Sequence, residues 1–245
     1  MKLVKINNKY KIKLLDHRAK FYEEHPDWEK ERFASMRKHI GKHDVVYYIG
    51  AEQGEIPALL QKWKAKVLVF EPNQKQWASI RKTFEINDLE RPEGLFAMFV
   101  GAETNLTPKN PDMQLFQGKG WVLDHDNWTI SSKGEIHEES TFSELHKEKD
   151  GLPIVKIDDV AIHAKGPTAL CIDVEGAELE VLKGAENTIL VYKPKIWLSI
   201  HPEFLKQYWK TTENKVLKFL VDRGYDYELL ANVHEKHYLM TPKED

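Results

Sequence analysis

The chain has 245 residues, 41% hydrophobic and 31% charged, which suits one α/β domain or one domain with a small extension. Its formal net charge of −3 gives no global electrostatic case for nucleic-acid binding, and no apolar run approaches the roughly 18 residues that cross a bilayer. The single cysteine, Cys171, excludes an internal disulfide and a zinc knuckle, and MKLVKINNKYKIKLLD lacks the continuous apolar core of a signal peptide, so a cytoplasmic location is expected.

KLVKI and KYKIKLL flank Asn7-Asn8, which predicts a short β-hairpin. HPDWEKERFASMRKHIG then reads as a helix, with Pro26 in its first turn, an apolar stripe of Trp28, Phe33, Met36 and Ile40, and Gly41 at the C-cap. Residues 1–43 are therefore expected to form a hairpin-and-helix cover on a domain spanning 44–245. From residue 44 the period changes. DVVYYIG, AKVLVFEP, GLFAMFVGA, TALCIDVEG and KIWLSIHP are apolar throughout and not alternating, as in strands buried on both faces of a parallel sheet. EIPALLQKW, NQKQWASIRKTFEIN, ELEVLKGAENTIL and ENKVLKFLVDRG supply helices, and YDYELLANV with KHYLMTP predicts a closing antiparallel hairpin. The alternation points to a doubly wound, mostly parallel sheet. Residues 103–153 break the rhythm as a long polar interval, expected to place extra strands and loops over the sheet's carboxyl edge.

In VVYYIGAEQGE, Gly50 and Gly54 bracket the turn after the first central strand, where glycines let backbone approach a ligand and start a helix facing it. Glu71 stands at the end of the second strand, 17 residues beyond Gly54, where an acid accepts hydrogen bonds from ribose hydroxyls. Pro72 and Asn73 then turn the chain into the next helix. NAD and S-adenosylmethionine pockets share this layout. The glycine fingerprint is incomplete, with Pro57 in place of a third glycine, and there is one strand–helix set, which favours S-adenosylmethionine over a pyrophosphate cofactor.

CIDVEGAELEVLKGAENTIL places Asp173 and Glu175 at the carboxyl end of the fourth strand, beside the expected crevice. Here the sequence resembles the FkbM family of S-adenosylmethionine-dependent methyltransferases. YIGAEQGEI, VFEPNQKQWASIRKTFEIN, GLPIVKIDDV, IDVEGAELEVLKGA and KPKIWLSIH carry the resemblance, in that order, over roughly residues 44–202. It implies a class I methyltransferase (Rossmann-like) fold and methyl transfer, usually to a hydroxyl oxygen of a sugar or natural product. By position, Gly50, Ala51 and Gly54 would line the cofactor's methionine tail, Glu71 its ribose, and Asp173 and Glu175 the reacting edge. The family pattern D-[VI]-G-A-N-x-G is departed from: this chain reads Y-I-G-A-E-Q-G, with Tyr48 replacing an acid near the cofactor ammonium. Glu52 restores a carboxylate on the same loop and is expected to take over that contact; the competing reading is weakened cofactor binding.

An alcohol acceptor needs a base. His201, in LSIHPEF at the end of the fifth strand, is the first candidate for its near-neutral intrinsic pKa, then Glu175, with Asp173 holding structure or ligand. Backbone contacts of His201 and helix capping by the two acids are the structural alternatives. Asp158 and Asp159 are expected to cap a helix. No metal site is expected: Asp124-His125-Asp126 reads as a solvated loop, and His234 and His237 as a polar turn. Trp121 and Trp128 suit either stacking on a sugar or packing of the insert. Three function classes result: an O-methyltransferase for a saccharide or other small hydroxylated acceptor, a cofactor- or partner-binding module without turnover, and a base N-methyltransferase. The last is disfavoured by the acidic balance and by D-V-E-G where [DN]-P-P-[YF] would stand.

Overall fold

A computed structural model describes residues 1–105, 122–124, 129–131 and 153–244. β1 (Lys2–Ile6), β2 (Tyr10–Leu14), α1 (Asp16–Glu24) and α2 (Lys30–His39) precede the first central strand, β3 (Val45–Ile49). α3 (Glu55–Lys62), β4 (Lys66–Phe70), α4 (Gln74–Ile86), β5 (Gly94–Phe96) and β6 (Phe99–Val100) follow. Next come β7 (Val122–Asp124), β8 (Thr129–Ser131), β9 (Ile154–Val155), α5 (Ile157–Ala161) and β10 (Ala169–Ile172). α6 (Glu178–Gly184), α7 (Glu186–Tyr192), β11 (Lys195–Ile200), α8 (Pro202–Trp209), α9 (Glu213–Val221), β12 (Tyr225–Asn232) and β13 (Lys236–Pro242) complete the described chain.

The central sheet runs in the order β12-β13-β11-β10-β3-β4-β5-β8-β7. β11, β10, β3, β4, β5 and β8 are mutually parallel, while β13, β12 and β7 pair antiparallel to their neighbours. This is the doubly wound, mostly parallel topology expected of a class I methyltransferase, with a terminal antiparallel hairpin. Every residue of β3 is buried, and its side chains alternate between two apolar layers. Val45, Tyr47 and Ile49 join Val181, Ile189 and Leu220 from α6, α7 and α9. Val46 and Tyr48 join Leu59 of α3, Phe84 of α4, Phe33 and Met36 of α2, and Ile6, Ile12 and Leu14 of the first hairpin. That hairpin closes through Asn7, Asn8 and Lys9 between the paired Ile6 and Tyr10, and Asn7 and Asn8 are both at positive φ (51° and 55°), as the central residues of a turn matched to twisted strands require.

The chain leaves β3 for β4 and β5 on one side and returns to β10 on the other. The carboxyl ends of β3 and β10 are thus the topological switch point, where open α/β sheets bind ligands. Contact there is close: a Cβ on Gly50 would lie 1.7 Å from the Asp173 carbonyl oxygen.

Several elements differ from the sequence reading. GLFAMFVGA divides, since β5 stays in the main sheet while β6 pairs with β9 in a separate two-stranded sheet. ELEVLKGAENTIL is two helices broken at Ala185. Gly184 packs so closely that an added Cβ would lie 1.9 Å from the Gly101 carbonyl oxygen. The Asp158 carboxylate accepts the backbone N–H groups of Asn187 and Thr188, at 3.1 and 2.8 Å, at the start of α7. Asp158 therefore caps a helix, but not its own. Asp159 pairs with the Thr104 hydroxyl. Within the polar interval, β7 and β8 extend the sheet edge beside β5 and do not lie over its carboxyl edge. Trp121, His125, Asp126 and Trp128 lie outside the described residues. No helix among the described residues is long and apolar enough to cross a membrane.

Candidate functional site

A cavity of about 610 Å³ opens at the switch point, bounded by the carboxyl ends of β3, β4, β10 and β11 and covered by α1 and the segment entering α2. The loop after β3 takes backbone shapes that glycine makes easy, with Gly50 at φ 85° and Gly54 at φ 81°; Glu52 adopts φ 46°. Gly54 starts α3, its carbonyl accepting from Ala58 N–H at 3.0 Å, and Ala51 and Glu52 face the cavity.

Glu71 is 6% exposed. Its Oε2 accepts the Glu52 N–H and its Oε1 the Asn73 N–H, each at 2.8 Å. Burial outweighs these bonds and pushes its pKa up to about 7. Each oxygen keeps a lone pair beyond its backbone partner, and Pro72 and Asn73 line the cavity beside it.

Tyr48 points to the layer shared with α2, where its hydroxyl accepts from Arg32 Nη2 at 3.1 Å. Arg32 is 1% exposed, and its Nη1 also donates to Glu29 at 2.6 Å and to Asp173 Oδ2 at 2.9 Å. Burial would raise the Asp173 carboxyl, but Arg32 and then His201 outweigh it and hold it below the usual range. The position that carries an acid in the family pattern is thus filled here by a phenol serving a buried guanidinium. Sequence reasoning missed Arg32. Its signal was a Glu29–Arg32 pair three apart on the stripe that carries Trp28, Phe33 and Met36, a charged pair on a face due for burial.

Further along the cover, Arg18 Nε donates to Glu55 at 2.6 Å, and Glu52 Oε2 lies 3.8 Å from the same guanidinium. His201 Nδ1 donates to Glu178 Oε1 at 2.8 Å, and its Nε2 pairs with Glu235 and stands 3.7 Å from Asp173. Burial would depress the imidazole, yet the bonds to Glu178 and Glu235 raise it to about 11. Glu175, at φ 51°, lines the cavity as an exposed carboxylate. The structure therefore brings Tyr48, Gly50, Ala51, Glu52, Glu71, Pro72, Asn73, Asp173, Glu175 and His201 to one cavity, with Gly54 behind them at the helix start. Its wall also holds Glu29, Glu55, His234 and Glu235, so its carboxylates outnumber the cations Arg18 and His201, with Arg32 buried behind it.

Residues 39–227 match the family described as the methyltransferase FkbM domain. Among curated proteins no sequence matches the chain. A crystal structure of methyltransferase FkbM from Methylobacillus flagellatus KT is similar at 20% identity and TM-score 0.48, covering 81% of this chain and 43% of its own, so this chain spans less than half of that relative. The precorrin-6y C5,15-methyltransferase of Geobacter metallireducens GS-15 aligns at 12% identity and TM-score 0.45, covering 88% of each chain. Magnesium protoporphyrin IX methyltransferase from Synechocystis PCC 6803, solved with bound SAM, aligns at 10% identity and TM-score 0.47, covering 94% of this chain and 86% of its own. The domain match spans most of the sequence and contains β3 to β11 with the loops that build the cavity, and the chain belongs to the FkbM family of S-adenosylmethionine-dependent methyltransferases.

Proposed function

We propose that this chain methylates a hydroxyl oxygen of a sugar or other small hydroxylated metabolite, with both ligands meeting in the switch-point cavity. The observation that carries the reading is the acid-rich lining around the buried Glu71 carboxylate. A cofactor bearing an ammonium and a sulfonium suits a wall in which carboxylates exceed cations, and a ribose diol suits the remaining lone pairs of Glu71. Gly50, Ala51, Glu52 and Gly54 would hold the methionyl end, with Pro72 and Asn73 beside the nucleoside. When bound, S-adenosylmethionine supplies an electrophilic methyl group.

The chain's own part is alignment, exclusion of water and acceptance of the acceptor's proton. Both ring nitrogens of His201 are engaged by carboxylates, so it has no lone pair to offer and acts as a positioning cation. Glu175 reaches the cavity and is the base in this reading. Trp28, stacked on His234 at 4.1 Å, and Phe21 present aromatic surface at the mouth for the apolar face of a sugar ring. A second reading, binding without turnover, is favoured by Arg32, a cation close to where the family pattern has an acid.

Calorimetric titration with S-adenosylmethionine and S-adenosylhomocysteine separates the two. Binding by the wild type that Glu71→Ala abolishes supports the first reading and opens a screen of hydroxylated acceptors. In that screen Glu175→Gln should lower kcat by about 100-fold or more while cofactor affinity holds. A folded wild-type protein that binds neither ligand sinks the enzyme reading.

A further inference from the structure

The turn between β12 and β13 carries His234 and Glu235, with His237 just inside β13; Glu29 faces them from the entry to α2. One ligand atom from each of these four residues lies within 4.8 Å of the others. The Nε2 atoms of His234 and His237 stand 3.2 and 3.3 Å from the same Glu235 oxygen, Oε1. Ligands held about 2.0–2.1 Å from a tetrahedral ion lie about 3.3 Å from one another, and these two spacings match that edge length.

His237 supplies an independent observation. Its ring is 2% exposed, its Nδ1 meets Ser199 Oγ at 2.9 Å, and its Nε2 has no hydrogen-bond partner. A ring donating from Nδ1 to Ser199 turns a bare Nε2 lone pair toward a carboxylate oxygen. That is repulsive unless a cation stands between them. The surrounding groups leave room for one. Glu29 Oε2 is used by Arg32 and Glu235 Oε2 by His201, which frees the other oxygen of each carboxylate. The ring of His234 is held by its stack on Trp28. With Asp173 adjoining, the carboxylates of this corner exceed Arg32 and His201.

We infer that Glu29, His234, Glu235 and His237 form a binding site for a divalent first-row transition ion, with zinc the best match. Two imidazoles among the donors suit such an ion, where magnesium or calcium would take oxygen alone. The site ties the cover, through Glu29, to the closing hairpin, and it stands in the cavity wall. The sequence signal was H-E-x-H, short enough to pass for a polar turn without Glu29 beside it.

The test uses the untagged full chain, stripped by chelator and desalted, titrated calorimetrically with Zn²⁺ and by absorption with Co²⁺. The expected result is one equivalent bound and cobalt d–d bands of four-coordinate intensity. His234→Ala and His237→Gln should each weaken Zn²⁺ binding by more than about 10-fold, since even outer-shell partners of metal ligands cost that much. Circular dichroism checks the folding of each variant; His234 is partly exposed, so its variant decides the matter if His237→Gln fails to fold. Failure of the folded wild type to bind, or unchanged affinity in a folded variant, overturns the assignment.

Discussion

Glu71 is a carboxylate held where its charge is disfavoured, and that has a measurable consequence. Its pKa of about 7 lies above the ordinary 4.5, so the folded protein holds an extra proton between those values. Stability from this group is full below pH 4.5 and is lost as pH rises through 7, a swing of order 3 kcal/mol. Urea unfolding at steps from pH 5 to 8 should show that decline in the wild type and a flatter profile in Glu71→Gln. The absolute stability of the variant is a separate matter, because its amide faces one of two backbone N–H donors. Identical profiles would remove the argument for a strained acid. Arg32 gives a second contrast. Arg32→Met strands Glu29 and Asp173 and should cost about 3–5 kcal/mol, whereas Tyr48→Phe removes a single hydrogen bond and should cost about 1 kcal/mol. Because the Tyr48 hydroxyl serves Arg32, Tyr48→Phe should change S-adenosylmethionine affinity less than about 3-fold, the range of a neutral contact. A larger loss in calorimetry would place that hydroxyl on the cofactor instead.

Between elements, Asp158 shows how one side chain sets a boundary. Its carboxylate takes the N–H groups of Asn187 and Thr188, the Asn187 amide and the Thr188 hydroxyl, all at 2.7–3.1 Å. Asp158→Ala should lower stability by about 2–3 kcal/mol, since charged buried bonds exceed an ordinary cap. Cofactor affinity should not move, as Asp158 does not line the cavity; a drop in affinity with stability intact would refute this. The same residue marks the limit of what the sequence disclosed. Strands buried on both faces announce themselves as unbroken apolar runs, and β3, β4, β10 and β11 were legible for that reason. The break at Ala185 was not, because it depends on Asp158 and Gly101, which come from other parts of the chain. α1 and α8 were also missed. α1 buries only Ala19 and Tyr22, too few positions to impose a period, whereas α8 sets Phe204, Leu205, Tyr208 and Trp209 at helical spacing, so its signal was present in the sequence.

For the whole molecule, the glycine loop, Glu71 and the acidic strand end could be read from local motifs, while the groups that answer them could not. Arg32 meets Asp173 across 141 positions of sequence, and Trp197 donates to Ser35 across 162. Those partners lie in the first forty residues, which the family match, starting at residue 39, almost entirely omits. The physical reading is that the cover belongs to the core. Phe33, Met36, Ile6 and Ile12 are fully buried against the layer of Val46, Val67, Val69 and Trp197. Removing them would uncover that apolar layer, and Tyr48 with it, and would leave Asp173 without its guanidinium. At roughly 1.5–3 kcal/mol for each large apolar side chain, those four alone account for about 6–12 kcal/mol, as much as the 5–15 kcal/mol by which a domain is ordinarily stable. Residues 44–245 alone should therefore be insoluble or unfold without a cooperative transition, while the full chain unfolds in one step. A soluble 44–245 fragment with a sharp urea transition and full-length affinity for S-adenosylmethionine would instead make the cover an accessory, and Arg32 a resident of the site that the fold does not need.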